Sequence, residues 1–205
     1  MDEIVIRLAR AIASRPRLRI LSCLAQRDEV TPTALHRELH LPLNALSNHL
    51  RLLMAVGLIR GRRSGARCHY AFRSPYGEQT LSGAMSRWLN RLLGTSGNEE
   101  AGPGQTPQEL HLMVFEAATA FTDLRRLQIL RHLDSHVEAT AEECVSQLRM
   151  SPPAVSRHMA KLGRRGFVVA KHKGKGVWAF QVASKPKSAI HGRMHAIVRH
   201  VWQER

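Results

Sequence analysis

An internal repeat constrains this chain more than any other feature. Residues 43–65 read LNALSNHLRLLMAVGLIRGRRSG, and residues 152–174 read PPAVSRHMAKLGRRGFVVAKHKG. The two stretches align without a gap, from Leu43 against Pro152 to Gly65 against Gly174. Each holds an apolar stripe, a Ser-x-His core, a glycine and a basic tail. Self-similarity at so long a period, in a chain of 205 residues, favours two small domains over one large one. Each half is long enough to bury a small core.

Hydrophobic spacing fills in the elements. Residues 3–13 follow a helical period with Ile4, Leu8, Ala11 and Ile12 on one side. Pro16 suits the first turn of a second helix, whose apolar face is Leu18, Ile20, Leu21 and Leu24. Thr31 or Thr33 can cap a short third helix that ends near Leu39. Pro42 opens a fourth, with Leu43, Leu46, Leu50 and Leu53 as its stripe, and Gly57 ends it. Residues 58–62 and 68–72 read as strands around Ser64-Gly65, and Leu81, Met85, Trp88, Leu89 and Leu92 mark a further helix. Residues 94–108, GTSGNEEAGPGQTPQ, have no apolar period and read as a linker.

The same order then returns. Residues 110–121 are helical, Leu127, Ile129, Leu130 and Leu133 match the second helix, and residues 140–148 match the third. Ser151-Pro152-Pro153 opens a helix with Val155, Met159 and Leu162 inward, ended by Gly166. Residues 167–171 and 177–182 read as strands around Gly174, and Ile190, Met194, Ile197 and Val201 mark a last helix over residues 188–202. The expected organisation is a domain at 1–93, a linker at 94–108 and a domain at 109–205. The expected class is mainly α with small β-hairpin wings.

A helix-turn-helix followed by a two-stranded wing is a DNA-docking layout. The second helix enters the major groove, and the hairpin lays cations on phosphate. Charge agrees. The chain carries 31 Lys+Arg against 16 Asp+Glu. Residues 1–96 hold fifteen against six, and residues 97–205 hold sixteen against ten, so both halves are basic. The balance favours a polyanion, nucleic acid before an anionic membrane surface. The longest apolar run, near residues 52–59, is too short to span a bilayer. The opening MDEIVIRLARAI does not read as a signal peptide. Cys23, Cys68 and Cys144 form no CxxC, and such an unpatterned set fits a reducing cytosol.

With the stripe inward, the first recognition helix presents Asn44, Ser47, Asn48 and Arg51. The register of the repeat puts Pro153, Ser156, Arg157 and Ala160 in the matching places, with Lys161 next to them. Asn suits adenine edges and Arg suits guanine, so the heads are unequal and an imperfect palindrome is expected. The wings supply Arg60, Arg62, Arg63 and Arg67, then Lys171, Lys173 and Lys175, for phosphate contact or a narrow minor groove. The same cations could also simply guard a hairpin edge. Six phosphate contacts would give a log–log salt slope of roughly −5. His49 and His158 occupy equal positions and read either as DNA contacts or as half-buried rings at the helix edge.

At this point the sequence resembles the ArsR/SmtB family of bacterial winged-helix repressors. The resemblance rests on RPRLRILSCL with ALHRELHLPLNALSNHLRLLMAVGLIRGRRSGARCHYAF, and on RRLQILRHL with CVSQLRMSPPAVSRHMAKLGRRGFVVAKHKGKGVWAF, about two thirds of the chain. It implies transcriptional repression through operator DNA, and pairing of two winged units through their first and last helices. Family members usually make that pair from two chains. Two units in one chain therefore imply an intrachain pseudo-dimer, its linker of about 15 residues reaching about 20 Å.

The family's sensor does not carry over. Its soft-metal sites place thiolates at the start of the third helix, where this chain has Thr31 and Thr33, or Thr140 and Glu142 in the second copy. Cys144 reads as packed inward. His191 and His195 stand i, i+4 on the last helix and would need a third ligand to hold Zn²⁺ or Ni²⁺. No metal and no cofactor is assigned. No Gly-rich phosphate loop, nucleophile elbow or paired carboxylate supports an enzyme. Two other classes stay open: a winged-helix protein-docking module, and an architectural protein that coats DNA without sequence preference. Further association of two chains and a protein partner are also left open. Two Tyr, three Trp and five Phe, mostly on apolar stripes, argue against docking.

Overall fold

Prolines and small polar caps start the helices. In a computed structural model, which describes residues 2–94, 104–174 and 176–203, α1 spans Asp2–Ile12, α2 Arg15–Ala25, α3 Pro32–Leu39 and α4 Leu43–Ala55. Thr31, rather than Thr33, caps α3, its hydroxyl accepting from the Ala34 amide at 3.3 Å. Gly57, at φ +70°, ends α4 in the left-handed region that glycine occupies without strain. The wing follows as an antiparallel pair, β1 Arg60–Ser64 and β2 Arg67–Ala71. It begins two residues later than its sequence pattern suggests, because Leu58 and Ile59 are buried beneath the helices before the hairpin leaves the body. Helix α5, Leu81–Leu93, closes this copy and is capped by Thr80.

The second copy runs α6 Pro107–Thr119, α7 Leu124–Ser135, β3 Ala139–Thr140, α8 Ala141–Leu148, α9 Pro152–Arg164, β4 Val168–His172, β5 Trp178–Val182 and α10 Ala189–Gln203. The short strand β3, which has no readable alternation, pairs with β5 and makes the second sheet three-stranded in the order β3-β5-β4. In the first copy the same place holds a single bridge, Val30 to Tyr70. Among the described residues no helix is long and apolar enough to cross a membrane.

Packing divides the chain into two units. One is Arg10–Phe115, the other Glu116–Arg205 together with Met1–Ala9. We call them the N-terminal and C-terminal winged units. Of the segment read as a linker, residues 95–103 lie outside the described residues. In the N-terminal unit Leu18, Leu21, Leu35, Leu46 and Leu53 are fully buried; in the C-terminal unit Leu127, Leu130, Val155, Leu162 and Ile190 are. Two residues assigned to stripes point outward. Leu43, in the first turn of α4, is 50 % exposed, and Ile4 is 52 % exposed because Val5, Leu8 and Ile12 take the inward spacing of α1.

The repeat extends to details that its sequence pattern hides. Arg17 donates to the carbonyls of Ala11 (Nε, 2.6 Å) and Arg10 (Nη2, 2.8 Å), closing the C-terminus of α1. Arg126, its equivalent in the second copy, donates to Ala120 and Thr119 carbonyls and the Thr122 hydroxyl at 3.2, 2.9 and 2.8 Å. Both therefore satisfy the orphan carbonyls of a helix end. His40 and Arg149, also equivalent in the repeat, both sit in the left-handed region, at φ 54° and 50°, and turn α3 toward α4 and α8 toward α9.

Candidate nucleic-acid interface

The paired helices α3–α4 and α8–α9 each bury one stripe of their second helix and leave the other face to solvent. On α4 Leu46, Leu50 and Leu53 are buried, and Asn44, Ser47, Asn48 and Arg51 are exposed. Asn44 Oδ1 accepts from the Ala45 amide at 2.8 Å, and Arg51 Nη2 donates to Asn48 Oδ1 at 2.9 Å. That bond aligns an amide and a guanidinium side by side on the open face. On α9 Val155, Met159 and Leu162 are buried, while Pro153, Ser156, Arg157 and Ala160 are exposed. Lys161 is half-buried, and the cationic Arg126, followed by burial, pushes its pKa down.

The two histidines of the repeat do not stand on these open faces. His158 is buried at 6 % exposure, with Nδ1 3.8 Å from Asp123 and Nε2 buried without a partner among the described residues. Its expected place on the contact surface does not agree with that burial. His49 is half-buried, with its Nδ1 likewise enclosed. Burial lowers the pKa of each, helped at His49 by Arg17. Both rings are thus held toward the neutral form and bring no phosphate-binding charge.

The wing cations fall into two groups. Arg62 forks onto Glu29, Nε to Oε1 at 2.5 Å and Nη2 to Oε2 at 2.6 Å. The paired carboxylate, mainly through that bond, holds the guanidinium pKa above its ordinary value. Lys173 is likewise bound to Glu138. Glu29 and Glu138 occupy equivalent positions of the repeat, so each wing is tethered to its body through the same acidic position, although the cations that meet it, Arg62 and Lys173, are not equivalent. Sequence reasoning missed both glutamates, although their register in the repeat was a readable signal. Arg60, Arg63, Arg67 and Lys171 are exposed and have no ion-pair or hydrogen-bond partner among the described residues. Lys175 lies outside the described residues. The C-terminal wing also exposes an aromatic: Trp178 is 52 % exposed, its ring edge-on to His172 at 5.0 Å. It is an exception among aromatics expected mostly on apolar stripes; Trp88, Phe72, Phe121 and Phe167 are buried.

The thiols and the last-helix histidines are committed elsewhere. Cys23 donates to Glu38 Oε1 at 3.1 Å, and burial together with that carboxylate pushes its pKa up to about 12. Burial raises Cys144 to about 11, and Cys68 is an exposed free thiol on β2. Such raised values disfavour the reactive thiolate. His191 Nδ1 lies 2.8 Å from Ser188 Oγ, and His195 Nε2 lies 2.8 Å from Asp134 Oδ2, so the i, i+4 pair faces two separate partners. Among the described residues no group of three or more His, Cys, Asp or Glu is placed to hold a metal ion.

Comparison with known proteins falls on the same two places. Residues 12–62 match a family described as a helix-turn-helix domain, and residues 123–169 match the bacterial regulatory protein, arsR family. The two matched segments occupy equivalent stretches of the repeat, each spanning a helix-turn-helix pair. Among solved structures, the chain is similar to reduced HlyU from Vibrio cholerae N16961, at 32% identity over 44% of this chain and 88% of that one, with a TM-score of 0.36. The comparison with curated proteins gave no match. Two winged helix-turn-helix units in register, each with a family match on its DNA-docking helices, make this chain a tandem ArsR-like winged helix-turn-helix protein, a DNA-binding transcription regulator.

Proposed function

We propose that the chain is a non-enzymatic repressor that reads an imperfect palindrome with two unequal heads carried on one chain. One observation supports this above the others. The open faces of α4 and α9 occupy the same positions of the repeat yet differ in chemistry: Asn44, Ser47, Asn48 and Arg51 against Pro153, Ser156, Arg157 and Ala160. Asn48 would take an adenine edge and Arg157 a guanine edge. Arg60, Arg63, Arg67 and Lys171 would neutralise phosphates beside them, while Arg62 and Lys173 hold the wings in place. Two heads in one chain replace a bimolecular association by an intramolecular one, so the pairing of the heads should not depend on chain concentration.

The test is selection of bound sequences from random duplex DNA with the purified chain at moderate salt. The expected result is two related but unequal half-sites about one helical turn apart. Recovery of one half-site alone would sink the two-headed reading. No enrichment, with binding that vanishes as salt rises, would turn the protein into a non-specific coat.

A further inference from the structure

The two wings share a register but not a chemistry. In the N-terminal wing Gly61 pairs with Tyr70 and Arg63 with Cys68, so these four stand on one face of the hairpin. A Cβ at Gly61 would meet Met54 Sδ at 2.9 Å and the Tyr70 ring at 3.1 Å. That face is therefore turned toward the C-terminal end of the recognition helix α4. Tyr70 bridges Val30, and Phe180 pairs with Ala139, the equivalent of Val30 in the second copy. Counting two residues back along each strand matches Cys68 with Trp178, and the partner strands match Arg63 with His172. Where the N-terminal wing has an arginine and a thiol on this face, the C-terminal wing has a histidine and a tryptophan.

We propose that the C-terminal wing meets duplex DNA with an aromatic edge, Trp178 backed by His172, laid against deoxyribose and base edges in the minor groove. This rests on the reading that the chain binds duplex DNA. Trp178 opens β5 at the root of the hairpin tip and is 52 % exposed, and Val177 before it is 46 % exposed. Lys171, one residue before His172 and on the other face of the hairpin, has no side-chain partner among the described residues, and the chain as a whole carries a formal net charge of +15. An exposed indole on one face of a hairpin that carries Lys171 on its other face complements a polyanion that has apolar edges. Apolar and aromatic side chains contact the groove in this way and are insensitive to salt, whereas cations on phosphate release counterions. Cations of both wings would then supply the salt-dependent part of binding, and the C-terminal wing would add a salt-independent part.

The experiment follows tryptophan fluorescence of the full chain as the selected duplex is added, with acrylamide as a neutral quencher. The difference between the wild type and Trp178→Phe isolates Trp178, since Trp88 is buried and Trp202 is on α10. Affinity is read from the anisotropy of a labelled duplex over a salt series, and thermal melting checks that each variant is folded. Trp178 is expected to lose acrylamide access when DNA binds. Trp178→Ala should weaken binding roughly tenfold to a hundredfold with its salt slope unchanged, and Trp178→Phe should recover most of that loss. Arg63→Ala should instead reduce the salt slope by about 1. DNA binding with unchanged access to Trp178 would overturn the wing contact and leave the repressor reading standing. Shielding of Trp178 that grows with protein concentration in the absence of DNA would overturn it in favour of a second copy of the chain. Failure to bind any duplex would overturn both readings.

Discussion

The same two positions on the last helix carry serine in one unit and histidine in the other. In the N-terminal unit Ser82 and Ser86 donate to the carbonyls of Val56 and Leu58 at 2.8 and 2.7 Å, satisfying the backbone just after α4. In the C-terminal unit, at the equivalent positions of the repeat, His191 and His195 take their places. His191 is 1 % exposed and its ring centroid lies 5.5 Å from that of Phe167. Even the neighbouring glycine is repeated. A Cβ at Gly83 would run into the Gly77 carbonyl at 2.1 Å, and one at Gly192 into Pro186 Cγ at 2.8 Å. A common backbone path thus accepts either a fixed hydrogen bond or a titratable ring. The repeat preserves geometry where the preceding loop lies too close to the helix for a Cβ, and its chemistry diverges where a side chain fills the remaining space.

The largest difference expected between the units concerns the two helix-closing arginines. Arg126 is 5 % exposed and its side chain makes three hydrogen bonds among the described residues, whereas Arg17 is half-buried and its side chain makes two. Charged donors that leave orphan carbonyls behind are costly to remove, so Arg126→Ala should lose about 3–4 kcal/mol and Arg17→Ala about 1–2 kcal/mol. Urea unfolding of the two variants measures this. Equal losses would mean that the two closures are energetically alike despite their different burial.

Acid should separate the units next. Burial first, and then the nearby Lys187, lower the pKa of His191 to about 4, although Glu116 opposes them. The unfolded ring binds its proton below its ordinary value of 6.5, while the folded ring does so only near pH 4. The unfolded state therefore holds more protons in that window, and stability is lost as pH falls from about 6.5 toward about 4. The loss from this residue should level off near about 3 kcal/mol. Ser82 does not titrate, so its slot contributes nothing. Urea midpoints at pH 7.5 and 5 should show His191→Phe removing the larger part of the acid loss. Smaller parts should persist from His49, His111 and His158, whose pKa values burial also lowers. An unchanged pH profile in the variant would place the acid sensitivity elsewhere.

Base readout should differ by a similar but smaller amount. Arg157→Ala should cost about 2 kcal/mol, roughly thirtyfold, at one half-site, and Asn48→Ala a comparable amount at the other. Binding to duplexes with each half-site scrambled in turn measures this. Equal loss at both half-sites from either substitution would count against two distinct heads.

These contrasts show which parts of the molecule the sequence revealed. The helix order, the wings and the open faces of α4 and α9 were legible because each follows a periodic pattern or a cap. The roles of Arg17 and Arg126 leave no mark in the sequence, since composition cannot tell a cation in water from one folded back on a carbonyl. Glu29 and Glu138 were missed because an ion pair between a loop and a strand leaves no local period. His158 stays open between a DNA contact and a half-buried ring in the sequence because a position on a helix wheel does not reveal what packs across from it, here Asp123. Trp178 does not stand out in the sequence, since only the hairpin register shows which face it stands on.

The smallest contrast lies at the start of the first helix of each helix-turn-helix pair. Thr140 and Glu143 form a reciprocal box: the Thr140 hydroxyl accepts from the Glu143 amide at 3.2 Å, and the Glu143 carboxylate accepts from the Thr140 amide at 2.7 Å. These bonds hold the Glu143 pKa below its ordinary value. Thr31 makes only the first half, because the residue three positions later is Ala34. Thr140→Ala should therefore cost about 1 kcal/mol, and Thr31→Ala about half as much. Ala34→Glu would complete the missing half and should raise the stability of the N-terminal unit at neutral pH. That gain should fade as acid protonates the new carboxylate, whereas it would persist in acid if the substitution acted only through helix propensity. Thermal melting at pH 7 and pH 3.5 distinguishes the two, and a gain that survives at the lower pH would show that the N-terminal cap needs no reciprocal partner.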